Sequence, residues 1–125
     1  MSLLVLNVDR DDDFGRKAKI KSPIIGLESN MRAAQSLGQA DPEDSDVNAI
    51  FYAIKIYNQL KNQDKDVSIA TICGDIHIGI KSDEILAHQI DDVLAKTGAD
   101  EIILITDGAE DEYVLPLVQT RAKIT

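Results

Sequence analysis

Three short apolar runs limit what this chain can fold into: Leu3–Val8 (LLVLNV), Val67–Cys73 (VSIATIC) and Glu101–Thr106 (EIILIT). Each is nearly continuous rather than alternating, the pattern of a strand covered on both faces, and such strands belong to parallel sheets. The stretches between them carry a helical period. Alternation of this kind predicts an α/β domain of three layers, Rossmann-like or flavodoxin-like, with a mainly parallel sheet of about four strands. A chain of 125 residues suits one such domain, here residues 1–125.

The helical segments are marked unevenly. Asp41-Pro42-Glu43-Asp44 reads as a helix start, with an N-cap, a proline in the first position and acids in the first turn. Beyond it Asn48, Tyr52, Lys55 and Gln59 form a narrow polar stripe, and Val47, Ile50, Phe51, Ile54, Ile56 and Leu60 fill most of the rest. So wide an apolar face exceeds what one side of a sheet needs. It points to packing on the preceding helix (29–37, with Met31, Ala34 and Leu37 inward) or on another subunit, and so to a homo-oligomer. A later helix takes Ser82 as N-cap and stops at Gly98, and a last one carries Pro116, which should kink it. Ala122–Thr125 reads as the opening of a fourth strand, which suits a fragment of a longer protein or a short edge strand.

Charge narrows the partners. Acids number 22 against 13 bases, a net −9, which argues against nucleic acid and against docking on an anionic membrane. The single cysteine, Cys73, sits in an apolar run and reads as an inert core thiol. No stretch approaches ~18 apolar residues, and Met1–Leu6 lacks the basic start of a signal peptide, so the expected location is cytoplasmic.

Ligands of open parallel sheets bind beyond the carboxyl ends of the strands. The three ends here read Asp9-Arg10-Asp11-Asp12-Asp13, Gly74-Asp75 and Asp107-Gly108-Ala109-Glu110-Asp111. Carboxylates converging from separate strands suit a hard cation, Mg²⁺ or Mn²⁺, which takes oxygen ligands and relieves their repulsion. The candidate metal ligands are therefore Asp9, Asp11, Asp75, Asp107 and Asp111. Aspartate is also a common loop and capping residue, and Asp107 or Asp111 could each simply cap the following helix. The long stretch from Arg10 to about Glu28 shows little regular pattern and reads as an irregular functional loop. Its bases either pair with its acids or hold the phosphate of a metal-bound ligand, with Arg16 and Lys17 foremost.

"GDIHIGIKS" (Gly74–Ser82) approaches a phosphate-binding loop, but Ile80 intrudes between Gly79 and Lys81. That leaves Lys81 beside a helix start as a simpler anion contact. His77 reads as a partly exposed loop residue and His88 as solvated. Neither a Ser-His-Asp arrangement nor zinc spacing is present.

"VDRDDD" with "DGAED" partly resembles the haloacid dehalogenase phosphatases. That resemblance would make Asp9 a nucleophile and Asp11 a general acid, with Asp107 and Asp111 on the metal; Asp13 stands where that family has Thr or Val. "ITDG" is similar to the metal-adhesion strand of von Willebrand A domains, although Asp-x-Asp-x-Asp replaces their Asp-x-Ser-x-Ser. A longer likeness covers nearly the whole chain: "VDRDDDFGRKA", "ADPEDSDVNAIFYAIKIY" and "TDGAEDEYVLPLVQTR" resemble an archaeal family known as domain of unknown function family 373. This resemblance implies a soluble N-terminal domain followed by a membrane-spanning part that lies outside these residues, and it carries no catalytic residues. Two functions are expected. One is a divalent-cation site for a small phosphate-bearing ligand, in a phosphohydrolase or nucleotide binder. The other is a non-catalytic sensing or oligomerisation module of a membrane protein.

Overall fold

The computed structural model describes residues 2–77, 79–108 and 111–125, with the side chain of Asp111 outside the description. Elements follow in the order β1 (Leu3–Asp9), α1 (Asp13–Ala18), β2 (Ile24–Ile25), α2 (Leu27–Ala40), α3 (Ser45–Asn62), β3 (Val67–Cys73), α4 (Ile80–Thr97), β4 (Glu101–Ile105), α5 (Asp111–Gln119) and β5 (Lys123–Ile124). The three apolar runs are the parallel core strands. β1 lies between β3 (Leu3 opposite Val67) and β4 (Leu3 opposite Glu101). The sheet runs β2-β3-β1-β4-β5.

The final residues do form a parallel strand, β5, beside β4. The fifth strand was not expected. β2 is a two-residue antiparallel edge on β3, reached through a cis Ser22–Pro23 bond.

Alternation along β1 sorts the core into two layers. Leu4, Leu6 and Val8 face the side covered by α4 and α5, with Leu86, Ile90, Val93, Val114 and Val118. Val5 faces α1, α2 and α3, among Phe14, Leu37, Ile50 and Ile69. Asn7 and Asp9 share that second face. Fully burying one such large side chain contributes roughly 1.5–3 kcal/mol. The two polar side chains that β1 sends into this layer therefore stand out against its largely apolar packing.

Three expectations about helices change. Residues 10–28 are not one irregular loop, because α1 occupies their middle. A helix of six residues has no stability alone. This one is held by fully buried Phe14 and by caps at both ends, Asp12 and Lys19, each in the left-handed region. Next, α2 runs to Ala40 and α3 starts at Ser45, so Pro42 lies in the turn and Asp44 is the N-cap, accepting the N–H of Asp46 at 2.9 Å. The residue before a proline avoids helical geometry, which ends α2 at Asp41 (φ −155, ψ 89). Lastly, α4 begins at Ile80, and Ser82 is buried inside it: its hydroxyl donates to the Arg10 carbonyl (2.7 Å) and accepts from the Asp75 N–H (3.1 Å). Gly98 ends α4 in the left-handed region, as expected (φ 69). Part of the broad face of α3 packs inward, but Phe51 and Tyr52 stay exposed, as does Met31 on α2.

Candidate metal centre

β1 delivers Asp9 to the carboxyl edge of the sheet. From β1 the chain passes to β2 and then β3 on one side, and the next connection leads from β3 back across to β4 on the other. The crevice between β1 and β4 is thus the topological switch point, where ligands of such sheets bind. Asp9 is 1% exposed. Its Oδ2 accepts the Phe14 N–H at 2.9 Å, one of the free donors of the first turn of α1. Its Oδ1 is buried and has no hydrogen-bond partner.

Asp12 shapes this turn. It adopts φ 62, and its carboxylate accepts the Gly15 N–H at 3.0 Å. A Cβ on Gly15 would lie 2.3 Å from Asp12 Oδ2, so glycine is required for the carboxylate to lie over the helix.

α3 approaches from the other side. Its first turn turns Asp46 inward, to 2% exposure. Lys17 ties α1 to the preceding turn, its Nζ 2.7 Å from both Asp41 Oδ2 and Asp44 Oδ2. Carboxylate oxygens of Asp9, Asp11, Asp13 and Asp46 consequently lie within 4.8 Å of one another. A second group shares Asp9 and adds Asp12 and the Cys73 sulfur, again within 4.8 Å.

Packing four carboxylates together and burying three of them distorts their acidity. Burial, opposed by the N–H groups of Phe14 and Asp13, pushes Asp9 up to about 7, with Asp11 and Asp13 adding to the rise. Burial and then the charges of Asp9 and Asp13 push Asp46 up to about 10, with Asp107 contributing. Asp13 rises to about 6 through burial and its contact with Asp44. Asp44 goes the other way: burial opposes ionisation, but hydrogen bonds from Asp13 and Lys17 prevail. The Cys73 thiol is raised by burial and by the nearby Asp9 and Asp12, which fits the expected inert core thiol. Without a counter-charge, then, the cluster holds protons near neutral pH. A divalent cation at its centre would take their place.

The five aspartates expected to bind metal separate. Asp9 and Asp11 are in the cluster. Asp107 is exposed at the end of β4, where its Oδ2 accepts from Ser45 Oγ at 3.1 Å; it lies near Asp46 without joining the four. Asp75 accepts the His77 N–H at 2.8 Å and sits 3.9 Å from Lys81, outside the cluster. Asp111 opens α5, and its side chain lies outside the described residues.

The foremost bases of the 10–28 stretch, Arg16 and Lys17, are engaged by acids, one of the two roles expected for them. Arg16 pairs with Asp13 and stands 3.7 Å from Asp11, so it faces the cluster's acids. Lys17 is engaged by Asp41 and Asp44 and is not presented to a phosphate. Lys81 is largely exposed beside Asp75, and His77 and His88 are both exposed. Asp9 is buried and offers solvent no oxygen. Asp11, half-exposed beside Arg16, is the cluster's outward member.

Two members were missed, Asp13 and Asp46. Both occupy the first turn of a helix, where an acid is explained by the helix dipole alone. The available signal was the doubling of acids in "DPEDSD", more than one cap requires.

Beside the cluster opens a cleft of about 300 Å³ between α3 and β4, lined by Ser45, Asn48, Tyr52, Ile105, Thr106 and Asp107. Its donors are hydroxyls and an amide, and it starts one residue from Asp46.

The profile of a domain of unknown function, DUF373, matches residues 2–125. The chain belongs to this family. A family relative from Archaeoglobus fulgidus, an uncharacterised protein, is 52% identical over 97% of this chain and 35% of its own length. Another, from Methanocaldococcus jannaschii and also uncharacterised, is 48% identical over 94% of this chain and 32% of its own. The chain thus spans about a third of these family members. No solved structure matches it. Among the described residues, no helix is long and apolar enough to cross a membrane.

Proposed function

We propose that this domain binds a divalent cation between Asp9, Asp11, Asp13 and Asp46, and that a phosphate-bearing ligand completes the ion's coordination from the cleft between α3 and β4. The observation that carries this reading is the Asp9 carboxylate: 1% exposed, with one oxygen unpartnered, amid three further carboxylates. A buried acceptor of this kind costs stability unless something positive meets it. The bases fit a two-step assembly. Arg16 neutralises Asp13 and Asp11 in the free domain; a cation would take over that role and release the guanidinium toward an anion.

The test is thermal melting of the chain in EDTA, Mg²⁺, Mn²⁺ or Ca²⁺, each with and without inorganic phosphate. A cation that binds the native state raises the melting temperature, and phosphate adds to the rise only when the cation is present. No shift with any of the three cations at millimolar concentration refutes the reading.

A second reading, self-assembly through α3, rests on Phe51 and Tyr52, 48% and 53% exposed on that helix. It supports the module expectation rather than an enzyme, and light scattering over a concentration series decides it.

A further inference from the structure

The polar residues beneath the cluster form a chain whose donors and acceptors can be assigned in one way. Asn30 lies on α2 and is fully buried; its Nδ2 reaches the carbonyl oxygens of Ile24 (3.1 Å) and Gly26 (2.7 Å). Carbonyls only accept, so the Asn30 group facing them must be the NH₂ and its Oδ1 must face Thr71. Thr71 Oγ1, 2.6 Å away, gives its single proton to that oxygen. The same Oγ1 can then only accept from Asn7, and the Asn7 atom 3.2 Å from it is therefore Nδ2. Donor and acceptor roles thus fix both amide orientations.

What remains is Asn7 Oδ1: fully buried, an acceptor by necessity, and without a partner. With Nδ2 fixed toward β3, the oxygen occupies the other edge of the amide. Asn7 stands two residues before Asp9 on the same face of β1, and Asp9 Oδ1 is likewise buried and unpartnered. Two orphaned acceptor oxygens, one neutral and one acidic, thus belong to successive side chains on one face of β1, the second of them a member of the acidic cluster. Asn7 is not an acid, so its orphaned oxygen is an observation separate from the clustering of carboxylates.

We propose that Asn7 Oδ1 is a neutral ligand of the cation held by Asp9 and its neighbours, and that the Asn30–Thr71 pair exists to aim it. This rests on the cation reading above and extends it. Amide and carboxylate oxygens together, most of them cut off from water, match a calcium-type shell of many protein oxygens. They match less well the shell of Mg²⁺, which dehydrates reluctantly and keeps several waters. The site should therefore prefer Ca²⁺ to Mg²⁺. Asn7 acts as a fourth dry ligand, beside Asp9, Asp13 and Asp46, and makes the difference.

Titration calorimetry of the 125-residue chain with Ca²⁺, Mn²⁺ and Mg²⁺ tests this on the wild type, Asn7→Leu, Asn7→Asp and Asp9→Asn. Asn7→Leu should weaken Ca²⁺ binding by about tenfold or more. Asn7→Asp should tighten it by a similar factor, because affinity follows ligand charge, while lowering stability in EDTA. A merely structural asparagine would lose stability in both variants and change affinity in neither. As a check that needs no variant, Mn²⁺ electron–nuclear double resonance on protein with ¹³C-labelled asparagine should show a coupling from a directly bound amide. If Asp9→Asn weakens binding but both Asn7 variants match the wild type, the Asn7 assignment is overturned and the cation reading stands. That is also the result expected if a proton shared by Asn7 and Asp9 fills the gap. If the wild type binds no cation, both fall.

Discussion

Replacing Asp9 by Asn should stabilise the metal-free domain at alkaline pH and weaken the metal-bound one. Asp9 titrates at about 7 in the folded chain against 3.8 in the reference state. A carboxyl group with a raised folded pKa binds more protons folded than unfolded. Stability therefore falls as pH rises from the unfolded value toward the folded one, here from about 4 to 7, and stays low above that window. A shift of that size corresponds to about 4 kcal/mol between the ends of the window, an upper figure because Asp11, Asp13 and Asp46 relax together with Asp9. Asn keeps an oxygen for the Phe14 N–H and removes the charge facing Asp13, Asp46 and Cys73. In EDTA, urea melts of Asp9→Asn should show a gain of about 2–4 kcal/mol over wild type at pH 8 and little difference near pH 4. With saturating cation at pH 8 the order should reverse. Equal destabilisation at both pH values in EDTA would refute the argument, since it would mean that the ionised carboxylate is not strained.

Other consequences can be checked by the same melts. Gly74→Ala would bring a Cβ within 2.1 Å of Ser82 Oγ and 2.2 Å of the Arg10 carbonyl. It should cost about 3 kcal/mol, and adding Ser82→Ala should not restore stability because the backbone clash remains. Lys17→Met removes the counter-charge of Asp44, whose side chain is 3% exposed. The cost should be about 2 kcal/mol at neutral pH, allowing for the partial exposure of Lys17, and should shrink as pH falls through the lowered titration range of Asp44. Phe51→Ser should leave the melting of a monomer almost unchanged; if the chain self-associates through α3, the same change should lower the mass seen by light scattering.

Much of the fold was legible because one physical signal dominates it. A strand covered on both faces must be largely apolar, and β1, β3 and β4 are. The stop of α4 at Gly98 was equally readable, from the freedom of glycine to adopt a positive φ. What sequence alone missed depends on contacts between distant residues. α1 is too short to show a period and exists because Phe14 fills the core beneath α2. Asp46 and Asp13 look like first-turn acids until α3 brings one against the other. Asn7 sits within an apolar run, and its importance appears only once Thr71 and Asn30 are seen to use up its donor.

The central claim is a cation at the end of β1. Its most direct test is anomalous diffraction from a crystal of the chain soaked in Mn²⁺. The account predicts one strong peak bonded at about 2.0–2.6 Å to oxygens of Asp9 and Asp46. No peak there, or a peak confined to Asp75 or Asp107, would contradict it.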